Sequence, residues 1–106
     1  MRIPSEKIEI AEEKLLNYLL VKKARNDKSG FLTKLGFTKD NWKELRDEIS
    51  EIVNENEATL QQETEFGSLY EVKGELRNFG VITIWFAPVH NDKFRFITLF
   101  PDRTKK

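Results

Sequence analysis

A chain of 106 residues and 12.5 kDa, 39% hydrophobic and 34% charged, holds apolar material for one small core. Two independent domains are excluded, and residues 1–106 read as a single domain. The 18 Lys+Arg and 18 Asp+Glu cancel, which excludes a uniformly basic nucleic-acid binder. With no cysteine and one histidine, disulfides, zinc-thiolate centres, cysteine nucleophiles and multi-histidine metal sites are excluded as well. Charge is nonetheless segregated. Residues 1–30 carry seven positive and five negative side chains, 31–66 four and nine, and 67–106 seven and four, giving local sums of +2, −5 and +3. A basic surface exists if the two ends of the chain meet in the fold.

Residues 5–10 alternate only loosely. From Ala11 the periodicity turns helical: Leu15, Leu16, Leu19 and Leu20 form one apolar stripe behind Glu12 and Glu13, predicting a helix over 11–21. The apolar run in this helix is too short for a membrane span and lacks the flanks of a secretory signal, so a cytoplasmic protein with no membrane contact is expected. A second helix is predicted over 27–35, with Phe31, Leu32 and Leu35 inward. Gly36 is its left-handed stop, and Phe37 packs back onto Leu32. Thr38 is a suitable N-cap for a third helix over 39–55, in which Trp42, Leu45, Ile49, Ile52 and Val53 keep a 3.6-residue period. The acids on its opposite face read as a solvated surface.

From Ala58 the period becomes two. Strands are predicted over 59–66, 68–77, 81–87 and 94–100, with a turn or bulge at Gly67, a tight hairpin turn at Asn78-Phe79-Gly80 and a stop at Pro101. His90 falls in the loop over 88–93. The fold class is therefore α+β, with three N-terminal helices packed on one face of a four-stranded antiparallel meander.

No phosphate loop, dinucleotide fingerprint, calcium loop or zinc motif is present, so neither cofactor nor metal is implied. If Ile82, Ile84 and Phe86 face the helices, then Val81, Thr83, Trp85 and Ala87 face outward beside Glu71, Lys73, Glu75 and Arg77. A tryptophan among cations on an uncovered sheet suits nucleic acid, because cations neutralise phosphate and the ring stacks on a base. The opposite reading packs Trp85 under a loop or the tail. The last strand is also open to two readings. Phe94, Phe96, Phe100 and Thr98 share one face, and Arg95, Ile97 and Leu99 share the other. Either choice leaves one polar residue in the middle of an apolar strand.

Several stretches are familiar together: Tyr18-Leu19-Leu20, Lys28-x-x-Phe31-Leu32-x-x-Leu35-Gly36-Phe37-Thr38, Asn41-Trp42-x-x-Leu45, Phe66-Gly67-x-x-Tyr70-x-Val72-x-Gly74-x-Leu76, Thr83-x-Trp85 and Arg95-Phe96-Ile97-Thr98-x-Phe100-Pro101. From about residue 8 to 101, their order and spacing resemble a bacterial domain family of unknown function, found alone and at the C-terminal ends of large toxin-like proteins. Through it the chain is similar to the barnase/colicin D/RelE-like ribonuclease toxin superfamily. That resemblance implies a metal-independent ribonuclease acting on RNA, accompanied by an antitoxin or immunity protein. It matches Lys28 to the lysine of the colicin D-like active-site helix, and Thr83-x-Trp85 to the hydroxyl-x-Trp strand motif. The histidine that partners the lysine in such nucleases has no counterpart here, where Lys28 lies between Asp27 and Ser29.

Cleavage by the RNA's own 2′-hydroxyl needs a base, an acid and cations for the phosphorane. Lys28 and Lys73 are the acid/base candidates and Arg95 the phosphate clamp. Thr83 positions the substrate, with Trp85, Arg77 and Thr98 as substrate contacts. Two further readings stand beside this one: a catalytically inert module of the same fold that binds protein or nucleic acid, and an immunity-type partner whose acidic third helix meets a basic toxin.

Overall fold

The computed structural model describes residues 1–16 and 29–102. In chain order its elements are β1 (Ile8–Glu9), α1 (Glu12–Lys14), α2 (Ser29–Lys34), α3 (Trp42–Glu55), β2 (Ala58–Thr64), β3 (Gly67–Leu76), β4 (Phe79–Pro88) and β5 (Phe94–Pro101), with 3₁₀ turns at Ser5–Lys7 and Lys39–Asn41. The strands form one sheet in the order β1-β5-β4-β3-β2. The α+β class is as expected, and β2 to β5 form the predicted antiparallel meander. The sheet itself is five-stranded and mixed, because β1 pairs parallel with β5, Ile8 beside Phe94 and Glu9 beside Arg95. A two-residue strand is too short to leave a period in the sequence. Only the first turn of the predicted 11–21 helix, Glu12–Lys14, and the second helix from Ser29 onward belong to the described residues.

Both helix boundaries around residue 37 follow from local chemistry. At the end of α2, Phe37 N–H donates to Leu32 O (2.9 Å) and Gly36 N–H to Thr33 O (2.9 Å), with Gly36 at φ 93°. These are the two bonds of a Schellman ending, and Leu32 and Phe37 are both fully buried. Thr38 then caps the turn that leads into α3. Its Oγ1 accepts from Asp40 N–H (3.3 Å), while Asn41 Oδ1 accepts from Thr38 N–H (2.7 Å).

Helix α3 buries Leu45, Ile49, Ile52 and Val53, as its period requires, and crosses the sheet at Gly74. A Cβ built there would lie 2.6 Å from Ile52 Cγ2 and 3.0 Å from Asn56 Nδ2. Gly74 is therefore what lets helix and sheet approach so closely. The core between them unites Leu15, Leu32, Phe37 and the α3 residues with Val72, Leu76, Val81, Trp85, Phe96 and Leu99. Gly74→Ala should weaken the fold by about 1–3 kcal/mol, since the branched Ile52 side chain has no free end to swing aside. Equilibrium denaturation with urea checks this, and an unchanged midpoint would contradict the close approach.

Candidate functional site

Strand β4 is turned over relative to the sequence expectation. Val81, Thr83 and Trp85 are completely buried on the helix side, whereas Ile82, Ile84 and Phe86 are half-exposed on the other. Trp85 Nε1–H donates to Thr83 Oγ1 (2.8 Å), and Thr83 Oγ1–H donates to Val72 O (2.9 Å). Residues i and i+2 share a face of a strand, so the hydroxyl-x-Trp spacing sets the hydroxyl beside the indole. Both polar groups are satisfied inside the core, and no buried side-chain nitrogen or oxygen among the described residues lacks a partner. The Phe96 ring meets Trp85 edge-on at 5.4 Å. In this position Trp85 has no surface on which a base can stack, and Thr83 cannot touch a substrate.

The reversal traces to the β3–β4 hairpin. Its turn residues are Arg77 and Asn78, both at positive φ (52° and 70°), so that Leu76 pairs with Phe79, Val72 with Thr83 and Tyr70 with Trp85. The turn read at Asn78-Phe79-Gly80 would instead set Lys73 beside Trp85, a shift by an odd number of residues that exchanges the two faces. Glu71, Lys73 and Glu75 of the β3 row do face outward, but the β4 neighbours of Glu71 and Lys73 are Ile84 and Ile82.

Arg77 is committed to the fold. Its Nη1 donates to Leu35 O (2.7 Å) at the end of α2, its Nε to Glu48 (3.0 Å) on α3, and Nη2 lies 3.5 Å from Glu44. The guanidinium covers the Phe37 ring at 4.0 Å. A non-glycine residue in the left-handed region costs about 1–2 kcal/mol. The bond to the Leu35 carbonyl and the solvent-screened pairs with Glu44 and Glu48 offset part of this strain. Arg77 is thus a tertiary staple between α2, α3 and the hairpin.

Lys28 lies outside the described residues. The remaining candidates, Lys73, Arg95 and Thr98, do share the open face. A bulge in β5 accounts for this: Ile84 pairs with Thr98 and Trp85 with Phe96, leaving Ile97 as the extra residue. The strand therefore changes parity midway. Phe96 and Leu99 both point into the core, and Arg95, Thr98 and Phe100 all point outward. Neither reading of an unbroken strand anticipated both outcomes.

Three cross-strand rows make up the open face: Arg95, Phe86 and Leu69; Thr98, Ile84 and Glu71; and Phe100, Ile82 and Lys73. Lys73 and Arg95 are four residues and two strands apart, about 16 Å between Cα atoms, on opposite sides of the apolar middle. Lys73 Nζ stands 3.9 Å from Glu71. Arg95 has no carboxylate within ion-pair distance among the described residues and lines a groove of about 600 Å³ with Glu9, Ile10 and Lys14. Glu9, Glu71 and Glu75 share this face with the two cations. The apolar residues Ile82, Ile84, Phe86 and Phe100 are site residues that the sequence did not disclose. For Ile82, Ile84 and Phe86 the signal was the Arg77-Asn78 turn, from which their orientation follows.

An α+β domain with helices on one side of a mixed sheet and a half-exposed apolar strip on the other is the class that the fold and the face define. The chain belongs to the family described as domain of unknown function DUF6883, whose model matches residues 3–103. No curated protein and no solved structure gives a significant match. Among the described residues, no helix is long and apolar enough to cross a membrane.

Thr83→Val keeps the shape of the side chain but strands the buried indole N–H. It should cost about 1–3 kcal/mol in equilibrium unfolding, and Thr83→Ser, which keeps the hydroxyl, should cost less. A Thr83→Val protein as stable as the parent would contradict the hydrogen-bonded core.

Proposed function

We propose that the domain is a non-catalytic protein-binding module that receives its partner on the open face of the sheet. The observation that carries this reading is the composition of that face: an apolar strip of Leu69, Ile82, Ile84, Phe86 and Phe100, half-buried in each case, within a rim of mixed charge. Phosphate contacts dominate nucleic-acid affinity, and a face with Lys73, Arg95 and the neighbouring Lys14 against Glu9, Glu71 and Glu75 offers no net attraction to a polyanion. An apolar centre with a polar rim is the anatomy of a protein interface. Covering five half-exposed side chains contributes on the order of 5 kcal/mol, about the lower end of the cost of association. The rim residues Arg95, Thr98 and Lys73 therefore decide affinity and choice of partner.

The resemblance to toxin-borne domains supports a toxin, antitoxin or immunity protein as the partner class, and the short apolar run without signal flanks supports the cytoplasm as the compartment. Of the residues that ribonuclease chemistry would need, Thr83 and Trp85 lie in the core and Arg77 is held in its clamp, while Lys73 and Arg95 stand on opposite sides of the apolar strip. Ribonuclease chemistry is the weaker reading for that reason.

A photo-crosslinking amino acid placed at Ile84 tests the proposal in the cells that make the protein. A discrete protein adduct is expected from Ile84 and none from Lys43 on the exposed side of α3, while purified protein in EDTA should leave total RNA intact. An RNA adduct, together with RNA cleavage that Lys28→Ala abolishes, would replace the module with the nuclease.

A further inference from the structure

The sheet has a second surface that the open face does not involve. Strand β2 is its outer edge beyond β3, and six of its seven residues are exposed, Leu60 to 44%. An edge strand presents a row of unpaired backbone donors and acceptors, which proteins usually blunt with lysine, proline or a covering element. Neither lysine nor proline occurs in Ala58-Thr-Leu-Gln-Gln-Glu-Thr64. The one irregularity is the bulge between Leu60 and Gln62. The chain already uses the start of this edge, since Ala58 N–H donates to Met1 O at 2.6 Å. Backbone groups alternate in direction along an antiparallel strand, so the N–H of Leu60, two residues on, points the same way, and among the described residues no strand pairs with it.

Charge selects what fits there. Residues 47–72 carry eight carboxylates and no lysine or arginine, and Glu57, Glu63 and Glu65 are exposed at and beside β2. An antiparallel second copy of β2 would bring these acids against their own kind, and like charges opposite one another destabilise a strand pair. We propose that the β2 edge accepts an extended, basic segment of a partner protein as a sixth strand. Main-chain bonds supply the docking, and Glu57, Glu63 and Glu65 read the lysines or arginines of the added strand. This site is independent of the open-face reading, because it uses the backbone and acidic side chains of the β2 edge rather than the apolar strip.

The test is an NMR titration of the intact chain with a blocked eight-residue peptide of alternating lysine and valine, beside the same peptide with glutamate for lysine. Amide shifts centred on Leu60 and Glu63 are expected with the lysine peptide only. Leu60→Lys, which blunts the edge, and Glu57→Lys/Glu63→Lys, which reverses its charge, should each weaken binding at least five-fold while leaving the spectrum of the fold intact. Absence of shifts, or equal shifts with the glutamate peptide, would overturn the proposal. So would sedimentation showing a dimer that Leu60→Lys dissociates, since the edge would then be occupied by a second copy. Loss of the Ile84 crosslink would leave this result untouched.

Discussion

The hydrogen bonds that run from the Trp85 indole through the Thr83 hydroxyl to the Val72 carbonyl govern the arrangement of the sheet. Burying a hydroxyl or an indole N–H without a partner costs several kcal/mol. Here each satisfies the other, so β4 can turn its polar member inward and its aliphatic members outward. Once Thr83 and Trp85 are inside, strand alternation places Ile82, Ile84 and Phe86 on the open face. Pairing then carries Glu71 and Lys73 to the same side. The β5 bulge at Ile97 completes the scheme, because it lets Phe96 and Leu99 both reach the core while Arg95 and Thr98 stay at the surface.

That inversion puts Thr83 and Trp85 on the side of the sheet opposite Lys73 and Arg95. Arg77 binds the end of α2 to α3 through Leu35, Glu44 and Glu48, which makes it part of the scaffold. Lys73 and Arg95 flank an apolar strip from opposite sides, and neither has the buried tryptophan within reach. The neutral total charge also acquires a spatial meaning. The acidic middle of the sequence forms the exposed side of α3 and the β2 edge, while the open face is close to neutral. The two proposed docking sites divide along this line, an apolar partner surface at the open face and a basic extended segment at the β2 edge.

Much of the fold was legible because periodicity and end signals acted together. The 3.6-residue stripe of α3 and the Gly36-Phe37 ending each appear where the residues placed them, while Thr38 caps the 3₁₀ turn Lys39–Asn41 that precedes α3 and not α3 itself. The candidate site was less legible for a physical reason: the face of a strand is a parity, and parity is lost with any odd error in a turn. Reading the hairpin at Asn78-Phe79-Gly80 in preference to Arg77-Asn78 exchanged the two sides of β4. An arginine at positive φ hides such a turn, since its stabilising partners, Glu48 and Leu35 O, are remote in sequence. The bulge at Ile97 defeated both orientations of β5 in the same way, and β1 was too short to show any pattern.

The most direct test of this account is the hydrogen exchange of the two tryptophan indoles, followed by NMR in deuterated buffer. With Trp85 fully buried and bonded to Thr83, its Nε1–H should exchange at a rate close to that of the slowest core amides. The Nε1–H of the half-buried Trp42 should exchange much faster. Rapid exchange at Trp85, together with protection loss when RNA is absent and recovery when it is added, would put the ring on the surface and contradict the orientation of the sheet.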